Sequence, residues 1–269
     1  MQSPCTRATK SRSSIKSRLS EGAIVAHSVQ ANMIKAFLLL LTAAKFGKLL
    51  TVAGTMAISI VVYSFVFGWA YSVGFVLLIL VHEMGHFVAA RQKGLNVGVP
   101  TFIPFVGAWI ALKDRPMNVE TEAYIAFAGP LLGTVGALAC YYLSREYDSR
   151  LLLAVSYSGF FLNLFNLIPL SPFDGGRITA ILSPRIWLVG APLLVAIFLW
   201  RPSPMLIVMA VLAAPHVIKA FKFDAKAPEN ASYYATKPET RMTYAFYYLA
   251  LAGFLSVMSF DVHNMLEPQ

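Results

Sequence analysis

YSVGFVLLILVHEMGHFVAA, the run from Tyr71 to Ala90, is the stretch on which the reading of this chain turns. It is almost wholly apolar, and its length matches the roughly 20 residues a helix needs to cross the hydrocarbon core of a bilayer. Yet His82, Glu83 and His86 stand inside it. Each such group costs several kcal/mol in hydrocarbon unless it is paired or bound to a metal. Their spacing supplies a reason for them. Residues four apart lie one above the other on a helix, so His82 and His86 can aim two ring nitrogens at one point, and zinc suits that point. Glu83, one position on, is offset around the helix and stands where a general base belongs rather than a ligand.

The composition agrees with a membrane setting. Hydrophobic residues make up 57% of the 269, charged residues only 13%, and the mean hydropathy is +0.63. Those values predict an all-α polytopic membrane protein, a bundle of about six or seven transmembrane helices. Spans are expected near 51–69, 72–91, 121–143, 151–169 and 243–260. The segments 186–200 and 204–218 are shorter. Divided by Arg201-Pro202-Ser203-Pro204, they read as two tilted spans or as a hairpin that enters and leaves on one side.

Charge placement sets an expected orientation, because Lys- and Arg-rich loops stay cytoplasmic. With the seven segments taken as crossings, 19 of the 22 Lys and Arg fall on the side of the N-terminus, leaving Arg145, Arg150 and Arg201 opposite. The net charge of +9 then reflects topology and anionic lipid, and no nucleic-acid partner is expected. The bilayer itself is the expected partner. On this map His86 lies near the cytoplasmic end of its helix. Residues 1–30 read as a basic, disordered tail, although an organelle-targeting segment has the same composition. Residues 31–50 suit an interfacial helix, 51–185 the catalytic core, and 186–260 further spans interrupted by a polar loop at 219–241, followed by a short tail at 261–269. Cys5 and Cys140 fall at opposite ends of this map, which excludes a disulfide framework.

A catalytic zinc keeps three protein ligands and one open position, so a third ligand is required. Most of the thirteen acids sit in loops beside Lys or Arg. Asp174 differs. It follows an apolar span within Asn166-Leu167-Ile168-Pro169-Leu170-Ser171-Pro172-Phe173-Asp174-Gly175-Gly176, where the prolines prevent regular helix and the glycines permit a tight turn. Irregular backbone of this kind is tolerated at membrane depth where protein or a wet cavity surrounds it. Capping of a helix starting near Gly175 is a second reading of Asp174, and both can hold together.

These residues resemble the site-2 proteases, zinc metalloproteases that cut substrates within the membrane. The resemblance rests on His82-Glu83-x-x-His86 in one span and on Asn166-x-x-Pro169 with Asp174-Gly175 in a later one, and it covers roughly residues 50–185. It implies one zinc ion per chain held by His82, His86 and Asp174, with Glu83 as catalytic acid and base and Asn166 as a polar helper. A membrane-protein or membrane-peptide substrate is the implied partner. The PDZ domain and CBS pair common in the family have no room here, so the chain looks like a minimal member.

Two further segments match in part. Val99 to Ile110, rich in aromatic and β-branched residues and broken by prolines, is expected to form a small hairpin dipping into the membrane near 99–112. In the family such an element borders the active site, where an extended edge can hold substrate by strand addition. Gly129-Pro130-Leu131-Leu132-Gly133 resembles the family's Gly-Pro pattern, but many members carry Asn where Gly133 stands. Gly129, Gly133 and Gly136 are therefore expected to serve close helix packing. Two other functions compete: a metal transporter, which needs further sites along a path where His216 is the only other histidine in an expected span, and an inactive family member acting as a binding scaffold.

Overall fold

In a computed structural model of the chain, residues 46–105, 107–112, 116–224 and 227–267 are described, with the side chains of 109–112 and 229 excepted. The expected tail and residues 31–45 of the expected interfacial helix lie outside them. Residues 52–269 form one compact unit, and the packing that follows is that unit's.

Helix α1 runs Phe46–Phe67 and α2 Trp69–Gln92. A single residue separates them. Gly68 adopts φ 79°, a left-handed conformation that side chains resist, and the chain doubles back there. As a result Val52, Met56, Ile60 and Tyr63 of α1 pack on Phe75, Val76, Ile79 and Leu80 of α2. Next come β1 (Val97–Ile103) and β2 (Gly107–Leu112), an antiparallel pair in which Thr101 faces Trp109 and Ile103 faces Gly107. The hairpin expected near 99–112 is thus two strands. Phe102 packs into the α1–α2 cluster, and the Phe105 amide donates to the Tyr63 hydroxyl at 2.9 Å.

Helix α3 (Val119–Glu146) starts at Asn118, whose side chain accepts from the Thr121 amide at 2.8 Å. That bond satisfies one of the helix's orphan donors. Helix α4 (Arg150–Asn166) is capped in the same way by Ser149, and Pro169 and Pro172 then keep the chain irregular until α5 (Asp174–Thr179). A 3₁₀ turn at Pro184–Ile186 leads into α6 (Trp187–Trp200), and α7 follows at Pro204–Phe221. The chain ends with α8 (Pro228–Tyr233) and α9 (Pro238–Leu266).

Among the described residues five helices, α1, α2, α3, α7 and α9, are long and apolar enough to cross a membrane. The expected spans at 151–169 and 186–200 are helices of 17 and 14 residues. Outward faces are apolar: Phe65, Leu199, Trp200 and Phe246 are all more than two-thirds exposed. A water-facing surface does not carry large side chains at that density, and lipid does. The chain is an integral membrane protein.

Small residues set how closely the central helices approach. A Cβ on Gly85 would fall 2.2 Å from the Ala128 carbonyl oxygen, and one on Gly159 2.9 Å from Ala137 Cβ. These are the contacts that join α2 to α3 and α3 to α4, the closely packed trio at the middle of the molecule. Helix α9 covers α4, burying Leu251, Leu255 and Val262. Its Tyr248 hydroxyl donates to the Leu167 carbonyl at 2.6 Å, where α4 gives way to irregular chain.

Candidate metal centre

Two elements bring three side chains together. His82 and His86 lie on one face of α2, a helical turn apart, and Asp174 is the first residue of α5. His82 Nε2 and His86 Nε2 are each 3.2 Å from Asp174 Oδ2, and 3.1 Å from one another. The three atoms form a nearly equilateral triangle. His82 and Asp174 are buried, and His86 is nearly so.

Asp174 reaches this place because of what precedes and follows it. The turn is packed backbone to backbone: a Cβ at Gly175 would lie 2.2 Å from the Leu167 carbonyl oxygen, and one at Gly176 2.1 Å from the Ser171 nitrogen. Trp187 holds the turn from beneath, its indole N–H donating to the Gly176 carbonyl at 2.8 Å. The cap residue of α5 is Phe173, so Asp174 is not the capping group, and its carboxylate is left to the triangle. Its second oxygen, Oδ1, is 3.7 Å from Arg177, and Arg177 in turn lies 3.3 Å from Glu122 on α3. The Tyr233 hydroxyl of α8 donates to the other oxygen of Glu122.

The hydrogen bonds on the far sides of the two rings decide what the triangle can bind. His86 Nδ1 is 2.8 Å from the Ile125 carbonyl oxygen, which can only accept, so Nδ1 carries a proton and, in the neutral ring, Nε2 holds the lone pair. His82 Nδ1 is 2.8 Å from Asn163 Oδ1 and is protonated by the same argument. With both rings neutral, two lone pairs and a carboxylate oxygen converge on one point. Such an arrangement attracts positive charge, and a metal ion supplies it while engaging all three donors at once. The edges fit zinc: a tetrahedron with ligand bonds of about 2.0–2.1 Å has edges of about 3.3 Å. Three donors at that spacing leave one vertex open.

Glu83 is buried and lies outside the triangle, offset around α2 from the two rings. Asn166, at the last turn of α4, donates its amide to the Leu162 carbonyl at 3.1 Å, and the Nδ1 partners of the two rings are Asn163 and Ile125. The asparagine that touches a ring is Asn163, one turn earlier. Sequence reasoning passed over it, since nothing in a hydrophobic helix distinguishes one asparagine's reach across two neighbouring helices. His216, on α7, sits edge-on to Trp187 with ring centroids 5.6 Å apart and is not part of the group.

Residues 70–147 match peptidase family M50. A zinc metalloprotease of Methanocaldococcus jannaschii is 34% identical over 126 residues, which are 44% of this chain and 36% of that protein. Over residues 70–147 the chain is thus similar to peptidase family M50. It spans about a third of the length of that curated relative. A solved site-2 protease structure from Methanocaldococcus jannaschii is 24% identical, with a TM-score of 0.42, across 62% of this chain and 85% of the archaeal one. The similarity to that family implies a metal, and in this chain the donor set described above has the chemistry to hold it.

Proposed function

We propose that this chain is a zinc-dependent endopeptidase that hydrolyses peptide bonds of membrane-embedded substrates. The single observation that carries the reading is the triangle of acceptors with 3.1–3.2 Å edges, buried between helices that are apolar on their outward sides. His82, His86 and Asp174 hold the ion. Zinc bound by them supplies Lewis acidity, which brings the pKa of water towards about 7. Glu83 takes the proton of the attacking water and returns it to the departing amine nitrogen. Its burial beside the ligands excludes competing solvent. Asn166, which spends one amide hydrogen on Leu162, offers the second to the substrate carbonyl, where such a donor is worth roughly 3 kcal/mol in the transition state.

A substrate helix has its backbone groups tied up internally and must open before it is cut. The β1–β2 hairpin, which packs beside α2, offers extended edges along which an opened segment can lie. Charge asymmetry of the loops supports a cytoplasmic N-terminus and a site near the cytoplasmic side.

The test uses purified full-length protein in liposomes, with a single-span peptide bearing a helix-breaking residue as substrate. Wild type is expected to contain one zinc and to cleave, Glu83→Gln to keep zinc without cleaving, and Asp174→Ala to lose the zinc. Cleavage at the wild-type rate by Glu83→Gln removes Glu83 from the chemistry. Substrate capture without cleavage by wild type points to a scaffold, and zinc flux that survives Asp174→Ala points to a transporter.

A further inference from the structure

We infer that Asn163 is a positioning residue for His82, and that residue 133 is glycine because the Asn163 carboxamide occupies the space where its side chain would be. The inference rests on the metal-site reading above and adds to it a device particular to this chain.

Asn163 is almost completely buried, at 1% exposure. Its Nδ2 lies 2.7 Å from the Gly159 carbonyl oxygen. A carbonyl only accepts, so this atom is the amide nitrogen, and the orientation of the carboxamide follows. Oδ1 is then the atom facing His82 Nδ1 at 2.8 Å. An amide oxygen also only accepts, so the ring must donate from Nδ1, which in the neutral imidazole leaves the lone pair on Nε2. A chain of compulsory roles thus runs from the Gly159 backbone through Asn163 to the corner of the metal triangle. His86 is held in the same tautomer by a backbone carbonyl of α3, whereas His82 is held by a side chain from α4.

That side chain has to pass α3, and Gly133 is where it does so. A Cβ built on Gly133 would fall 2.3 Å from Asn163 Oδ1 and 2.8 Å from its Nδ2. Both distances are shorter than real Cβ contacts allow. A larger residue at 133 and Asn163 in its present rotamer therefore exclude one another. Outer-shell partners of metal-ligating histidines typically contribute 10–100-fold in metal affinity.

The experiment measures zinc affinity of the full chain in detergent by competition with a chromophoric chelator. The ligand-field spectrum of the cobalt(II) form is recorded alongside, and thermal unfolding of the metal-free proteins serves as the folding control. Asn163→Ala is expected to weaken zinc 10–100-fold and to change the cobalt spectrum. Asn163→Asp, which keeps an acceptor against Nδ1, is expected to recover most of that loss even if the alanine variant folds poorly. Gly133→Ala is expected to weaken zinc by a similar factor in the wild-type background, with no further loss when added to Asn163→Ala. Wild-type affinity in Asn163→Ala overturns the inference, as do losses that multiply in the double variant or an aspartate variant as weak as the alanine one. If zinc binding depends on Asp174 but not on Asn163, only this inference falls. If wild type binds no zinc, or Asp174→Ala binds as tightly as wild type, the metal-site reading falls and takes this inference with it.

Discussion

Gly85, between the two histidines, is where α2 and α3 touch, and its replacement by alanine tests whether that touch sets the metal geometry. The added Cβ would lie 2.2 Å from the Ala128 carbonyl oxygen and 2.9 Å from Gly129 Cα. Both are backbone atoms, so no rotamer change relieves the contact. Reaching 3.4 Å, the start of ordinary contact, requires the helices to part by about an ångström. His86 Nδ1 spans that same interface to the Ile125 carbonyl at 2.8 Å, and an ångström more ends the hydrogen bond. The same movement draws the histidines away from Asp174, which packs with α3 through α5. Overpacking of this kind costs about 3 kcal/mol, or roughly 6–12 °C in Tm for a chain of this size. Gly85→Ala is therefore expected to melt earlier in detergent and to bind zinc at least tenfold more weakly, the lower bound for losing a ring's outer partner. Gly54→Ala is the control. Nothing lies within 4 Å of a Cβ there, so alanine is expected to be neutral or to stabilise α1 by up to about 1 kcal/mol. A Gly85→Ala protein that melts and binds zinc like wild type would refute the argument that backbone contact at this point holds the two histidines in place.

Other outcomes follow from the same contacts. Removing metal with a chelator is expected to lower Tm, since an ion present at 1,000 times its Kd stabilises the fold by about 4 kcal/mol. Asp174→Ala should melt identically with and without the chelator, and an equal chelator effect on both proteins counts against the ligand set. Trp187→Phe removes the indole donor from the buried Gly176 carbonyl, which still accepts from the Ala180 amide at 3.0 Å, so the expected loss is that of one hydrogen bond, about 1 kcal/mol by thermal or denaturant unfolding; an unchanged midpoint means the indole does not support the Asp174 turn. Burial, reinforced by the adjoining Glu122 carboxylate, pushes the Tyr233 hydroxyl above its ordinary value of 10.0. The folded state then holds this proton more tightly than the unfolded one. Its contribution is complete below about pH 10 and is lost as the pH rises beyond it. Tyr233→Phe is expected to flatten the alkaline fall in stability, and a fall identical to wild type would exclude Tyr233 as its source.

Features written in local pattern were legible from the chain. Spans depend on hydropathy over about 20 consecutive residues, and every segment expected to be a span is a helix here. The hairpin was legible from aromatic and β-branched residues broken by prolines, and the irregular stretch after α4 from Pro169 and Pro172. The similarity to family M50 was legible as well, because two short motifs far apart in the chain carry the resemblance. Less was visible where a turn is minimal: spans were expected near 51–69 and 72–91, and the break falls at one left-handed glycine, Gly68, inside the first of them.

Alone, the order of residues determined which segments are helices and that His82 and His86 share a face, because both depend on neighbours within a turn or two. Tertiary structure decided what those rings meet. Only the packing of α2, α3, α4 and α5 brings Asp174 within 3.2 Å of both nitrogens and selects Asn163 rather than Asn166 as the partner of His82. The reason is physical: reach between helices depends on how closely their backbones approach. That distance is set jointly by small residues on facing surfaces, such as Gly85 against Ala128 and Gly133 against Asn163, and no single segment contains both members of a pair.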